Sequence, residues 1–367
     1  MTGPPGDGPM IERVSTLELF FDLVFVFTIT QLTAVIGEDP TWCSALRAAV
    51  MLAVIFWMYG GYAWLTNAVA ADTAARRVVL LAGMAGFFVV ALAVPRAFEG
   101  GGLAFALAYA LVVAIHIGLF SRASSVLSFA GIFALGRRNG FMVLIVIVGG
   151  ALGGDWQLAL WTAAAVFAWV ITAYTGTPAA FSVGAAHFVE RHGLVVLVAI
   201  GESVVAIGIG LSDLSVDPAL VAVAVLGLSL STCLWWAYFG GDDTRAEHAL
   251  SHASPARRSM MALEGYGHAH LAILLGIVAI AAAEEAAAHD PFEPLGIGLA
   301  VSLGAGAACY LAGDAWFRQR LRTADPRPRL AAAPPALATI PLGIGVAATA
   351  QIAALVAVFL ALFVSEA

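Results

Sequence analysis

The stretch Ser15–Gly37, STLELFFDLVFVFTITQLTAVIG, decides the fold class, because it reads as a membrane-crossing helix that carries two acids. Glu18 and Asp22 stand four residues apart, on one helical face. An ionised Asp at the centre of a lipid-exposed helix costs roughly 2.5–3.5 kcal/mol even on the mildest insertion scales, so this face is expected to look into protein or water. Glu18 and Asp22 are the first candidate functional groups for that reason.

The rest of the chain has the same apolar character. Hydrophobic residues make up 61% of 367, charged residues 11%, and the mean hydropathy is +0.94. Soluble domains carry about 25% charged residues, so the composition excludes a soluble globular protein and points to an all-α, polytopic bundle. Residues 1–14 are rich in Gly and Pro and have no apolar core of a signal peptide, so the first span is expected to act as its own insertion signal. Cys43, Cys233 and Cys309 have no ligand spacing and read as small packing residues, which gives no metal or other cofactor.

Apolar runs separated by polar joints predict twelve spans: 17–36, 43–66, 77–97, 102–121, 139–154, 156–175, 193–212, 218–239, 262–283, 295–317, 330–345 and 347–364. All 17 basic residues are Arg, and their placement tests the count. Even-numbered joints and the N-terminus hold fifteen of them, against only Arg47 and Arg96 near odd-numbered joints. Arg in short loops stays cytoplasmic, so both termini are expected in the cytoplasm of a multi-pass cell-membrane protein.

A weak internal repeat accompanies this count. Glu12-Arg13 echoes Glu190-Arg191, WMYGG at 57–61 echoes WAYFGG at 236–241, and Arg76-Arg77 echoes Arg257-Arg258, each near a period of 180 residues. The expected organisation is a tail (1–16), a first six-helix half (17–175), a connector (176–192) and a second half (193–364), related as a parallel repeat. The first and seventh helices then hold equivalent positions.

The seventh helix supplies the second polar group. His187, Glu190 and Arg191 fall at i, i+3 and i+4 and are expected on one side at the cytoplasmic mouth, as substrate or gate residues or as a solvated interfacial turn. Glu202, nine residues past Gly193 and flanked by Gly201 and Ser203, is expected near mid-bilayer, as a protonatable group or a buried interhelical donor. On the ninth helix Glu264 and His268 form an i, i+4 pair suited to proton relay, substrate contact, a structural bond or, weakly, a metal. His116, Tyr59, Tyr62, Tyr174 and Asp314 add polar groups at comparable depth, with the tyrosines discounted as interface anchors. Every one of these acids and histidines falls in the cytoplasmic half, so a polar cavity is expected to open inward.

Two motifs, ERVSTLELFFDLVFVFTITQL and HFVERHGLVVLVAIGES, resemble the bacterial low temperature requirement A family of integral membrane proteins. The resemblance extends over the whole multi-span chain. It implies a polytopic inner-membrane protein and draws attention to Glu18, Asp22, His187, Glu190, Arg191, Glu202 and Ser203 as motif positions. The family name records a cold-growth requirement and no reaction.

Three functions compete on these residues. The first is a secondary transporter of a small molecule, proton-coupled through Glu18, Asp22 and Glu202. The second is a membrane-embedded enzyme in which Glu18, Asp22, Glu202, Glu264 and His268 do acid/base chemistry on an apolar, isoprenoid or lipid-like substrate. The third is a non-catalytic membrane protein of cold adaptation. The partners expected are the bilayer and a small or lipid-like molecule; nucleic acid is not among them, since the arginines form no concentrated patch.

Overall fold

The computed structural model describes residues 14–68, 73–122, 129–175, 183–212 and 215–367. The tail with its Glu12-Arg13 landmark, the first part of the connector, Asp213 and the side chain of Tyr174 lie outside them. The described residues form fifteen α-helices and no strand: α1 (Thr16–Glu38), α2 (Trp42–Ala68), α3 (Ala74–Ala93), α4 (Gly102–Arg122), α5 (Phe129–Leu152), α6 (Gly154–Thr175), α7 (Ala185–Leu211), α8 (Pro218–Phe239), α9 (Asp242–Ser251), α10 (Pro255–Met261), α11 (His270–His289), α12 (Ile297–Leu321), α13 (Arg327–Ala338), α14 (Ile340–Gly345) and α15 (Ala348–Glu366). A kinked π-turn (Ala97–Gly101) precedes α4, and a π-helical segment (Ala262–Ala269) joins α10 to α11. Lipid offers no hydrogen bonds to a backbone, so helix satisfies every N–H and C=O within the segment.

Local signals fix several helix starts. Ser15 and Glu18 form a capping box, with the Ser15 N–H donating to Glu18 Oε2 at 2.9 Å and the Glu18 N–H donating back to Ser15 Oγ at 3.4 Å. Asp217 caps α8 by accepting from the Leu220 N–H at 2.8 Å, with Pro218 in the first turn. Gly241, at φ 114°, makes the turn from α8 into α9.

Ten helical stretches among the described residues are long and apolar enough to cross a membrane. The expected sixth and eleventh spans are helical as well, as the 22-residue α6 and as the α13–α14 pair, which breaks at Thr339 behind Pro334 and Pro335. That pair runs the length of its neighbours: Gly343 O accepts the Leu295 N–H at 2.8 Å at one end, and Arg329 meets Glu366 at 2.9 Å at the other. Outward faces carry large exposed side chains such as Leu23, Val78, Leu107, Leu144 and Val225. A multi-pass membrane protein presents such a surface to lipid.

The helices pack in an ordered set of neighbours. α1 lies against α2 and α3, followed by α3 on α4, α4 on α5, α5 on α6 and α6 back on α2. α7 lies against α8 and α11, followed by α11 on α12, α12 on α13, α13 and α14 on α15, and α15 back on α8. α1 meets α7 and α11 directly. Four hydrogen bonds tie further pairs together: Tyr109 Oη of α4 to Val54 O of α2 (3.0 Å), Tyr310 Oη of α12 to Leu234 O of α8 (2.6 Å), Gln157 Nε2 of α6 to Ala97 O of the π-turn (2.7 Å) and Gln351 Nε2 of α15 to Ala300 O of α12 (2.8 Å).

Glycine sets the closest approach. An added Cβ on Gly276 of α11 would stand 2.6 Å from Tyr310 N and 2.7 Å from Gly306 O of α12, so the two backbones touch there. Gly276→Val is expected to push α11 off α12 and cost about 1–3 kcal/mol, read as a lower unfolding midpoint in detergent. An unchanged midpoint would contradict this packing.

Three helix boundaries depart from the sequence reading. α5 starts at Phe129, so Arg137 and Arg138 lie on a helix and not in a joint; the Arg138 guanidinium is accommodated over the Trp57 ring, 5.3 Å from its centroid. α7 starts at Ala185, eight residues before the expected 193. α11 continues through the Ala-rich run to His289, because alanine favours helix, and so carries Glu284, which is 1% exposed.

Candidate functional site

α1 and α7 both start at one face of the bundle, here the near face, and run side by side toward the far face. The near end of this seam holds the densest buried ionic group on α1. Arg191 Nη1 donates to Glu18 Oε1 at 2.8 Å and to Thr66 Oγ1 at 2.6 Å, and Nη2 reaches Asp22 Oδ1 at 3.5 Å. Tyr59 Oη donates to the same Asp22 oxygen at 2.9 Å. His187 Nε2 stands 3.1 Å from Glu18 Oε1, while its Nδ1 faces the Asn67 amide at 3.2 Å. The guanidinium also lies over the Phe21 and Tyr59 rings, 5.3 and 5.6 Å from their centroids.

The charge count of this cluster is uneven. Two carboxylates, both buried, face one permanent cation, so one proton, on Asp22 or on His187, would cancel the remaining negative charge. Asp22 Oδ2 is buried with no hydrogen-bond partner, the position at which such a proton would sit.

Farther along the seam, Thr30 Oγ1 donates to Glu202 Oε2 at 2.7 Å. Thr30 is twelve residues beyond Glu18, about 18 Å along the helix. Because α7 starts at Ala185, Glu202 falls past the midpoint of that helix, where its count from Gly193 put it near mid-bilayer. Ser203 is fully buried, with its hydroxyl facing the buried Glu284 carboxyl of α11. This end of the seam therefore holds Glu284, which the expected spans left in a joint.

The remaining sequence candidates separate. Glu190 turns outward and, among the described residues, accepts only the Val14 N–H, at 3.2 Å, so it does not share a face with His187 and Arg191. Glu264 pairs with Arg320 at 3.4 Å, and His268 sets Nε2 3.1 Å from Trp169 O and Nδ1 3.2 Å from Leu263 O, so the two make no pair with each other. The π-helical register sends His270 inward instead, with Nε2 2.8 Å from Tyr238 Oη and Nδ1 2.8 Å from Gly265 O. Asp314 joins a cluster near the end of α15, with Arg329 Nη1 3.3 Å away, Arg318 Nε 2.7 Å from Asp242, and Glu366 bound to both arginines.

Several of these partners were invisible beforehand. Tyr59, discounted as an interface anchor, is fully buried in the cluster, and Thr30, Thr66, His192 and His270 carried no signal of their own. Among the described residues no group of three or more His, Cys, Asp or Glu side chains is arranged to hold a metal.

An aromatic-walled cavity lies beside the seam, its open mouth included in a volume of about 730 Å³. α2 and α7 serve both: Tyr59 and Arg191 face the ionic cluster, and the adjoining Gly60 and His192 face the cavity.

The model of one protein family, described as bacterial low temperature requirement A protein, matches residues 13–364. An uncharacterized protein of Rhizobium meliloti (strain 1021) is 26% identical over 319 residues, which is 84% of this chain and 77% of that protein. No solved structure matches the chain.

Proposed function

This chain belongs to the bacterial low temperature requirement A family, and on that premise we propose that it is a proton-coupled secondary transporter of a small molecule, working at the α1–α7 seam between two six-helix halves. The observation that carries the reading is the uneven charge of the Glu18–Asp22–His187–Arg191 cluster, which bridges the two helices that hold equivalent places in a parallel repeat.

The neighbour order supports the repeat, since α1, α3, α4, α5, α6 and α2 make the same sequence of contacts as α7, α11, α12, α13–α14, α15 and α8. The bonds of Tyr109 and Tyr310 correspond across it, as do those of Gln157 and Gln351, each the fourth residue of its helix. Tyr59 and Tyr238, from WMYGG and WAYFGG, both hydrogen-bond inward. Arginine placement supports cytoplasmic termini in the cell membrane.

Proton coupling follows from differential binding: a proton on Asp22 weakens its attraction to Arg191 and shifts the balance between two arrangements of the seam. The seam acids are engaged by Arg191, His187, Tyr59 and Thr30, and none of them lines the aromatic cavity, which favours carriage over acid/base chemistry on an entering substrate. The test is transport by the purified protein in proteoliposomes loaded with a whole-cell metabolite extract. At least one compound is expected to leave faster than from protein-free liposomes, and faster again under an imposed pH gradient. Equal release with and without protein would contradict the reading.

A further inference from the structure

We propose that the aromatic-walled cavity binds a flat, mostly apolar molecule bearing a single carboxylate, with Arg138 as the anion-binding residue; this rests on the transport reading and names its substrate class. The cavity opens between α2, α4, α5 and α6 on one side and α7 and the π-helical segment on the other.

The walls select a planar apolar body. Phe56 stacks on Trp169 at 6.1 Å with 14° between ring planes, and Trp57 meets Trp169 edge-on at 5.3 Å. Phe188 and Tyr266 close the α7 side. Gly61 and Gly267 keep the space open: an added Cβ would come 3.0 Å from His116 Nε2 at the first and 3.3 Å from the Trp169 ring at the second. Surfaces of this kind bind flat rings through offset and edge contacts.

The polar groups select one negative charge. Arg138 lies inside α5, over the Trp57 ring, with its Nε buried and unpartnered, and it makes no ion pair among the described residues. An unpaired cation inside a membrane span is costly and marks a ligand site by default. Trp57 Nε1 donates to Asn139 Oδ1 at 3.3 Å, which fixes the ring under the guanidinium. His116 is 1% exposed, with its Nε2 set beside Gly61 of α2. One guanidinium, with the His116 and His192 imidazoles on the same lining, matches a carboxylate, which a planar fork binds bidentately.

Isothermal titration of the full-length protein in detergent, with empty micelles as reference, compares 1-naphthoate with its uncharged amide, 1-naphthamide. Wild type is expected to bind the carboxylate about tenfold or more tightly than the amide, as a charge-assisted contact requires. Arg138→Gln is expected to bring the two within about twofold. Equal binding of acid and amide by wild type, or no binding of either above the micelle reference, would overturn the proposal even if the variant failed to fold. This binding needs no gradient, so its failure leaves proton-coupled transport standing, and absence of transport leaves the binding result standing.

Discussion

Arg191→Leu is expected to destabilise the protein by about 3–5 kcal/mol, through the charges it strands. Arg191 is 1% exposed and serves Glu18, Asp22 and Thr66 at once. Leucine keeps much of the apolar contact with Phe21 and removes the one permanent cation that, among the described residues, faces the two buried carboxylates. Arg191→Lys is expected to recover part of the loss, since an ammonium restores the charge but not the planar fork that spans both acids. Removing the acids together with the cation, as Glu18→Leu, Asp22→Leu and Arg191→Leu, is expected to recover most of it, because a wholly apolar replacement leaves no charge unpaired. The measurement is the unfolding midpoint of detergent-purified protein. A single Arg191→Leu variant that melts with wild type would show that the cluster is solvated or absent.

Glu202→Gln is expected to leave the protein folded and to reduce gradient-dependent transport by tenfold or more. The amide keeps a carbonyl oxygen where Oε2 accepts the Thr30 hydroxyl at 2.7 Å, so the tie between α7 and α1 survives. What is lost is the capacity to take up and release a proton at a buried position in the far half of the seam. The near cluster and Glu202 lie about 18 Å apart along α1, so each is expected to serve one end of a path. Loss of gradient dependence with a wild-type unfolding midpoint supports a proton-carrying role. Wild-type transport in this variant would reduce Glu202 to a structural bond.

The architecture was legible because lipid leaves the chain little choice: an apolar run long enough to cross becomes a helix, and the arginines sort the joints. Glu18, Asp22 and Glu202 were legible for the same reason, since a carboxylate stands out inside such a run. Their partners were not. Arg191 lies 173 residues from Glu18 and Glu202 lies 172 from Thr30, and no local pattern pairs them. Tyr59 looked like any tyrosine near a helix end until burial placed it against Asp22.

Charge itself misled the boundaries. Arg138 and Glu284 read as joint residues because isolated charges avoid lipid, yet neighbouring helices cover both and let α5 and α11 run on. At 262–269 the α-helical period paired His268 with Glu264, a contact the structure does not make. A π-helical segment shifts the face by adding a residue per turn, so His270 bonds Gly265 five residues back and points inward, while His268 turns to Trp169.

Proton-coupled carriage is tested most directly by profiling metabolites and lipids in a deletion strain complemented with wild type or with Glu202→Gln, comparing cell pellet with medium. The account predicts one compound, chemically unchanged, that shifts between the two compartments with wild type and fails to shift with the variant. A precursor that accumulates while its product disappears from both compartments would contradict it and make the protein an enzyme.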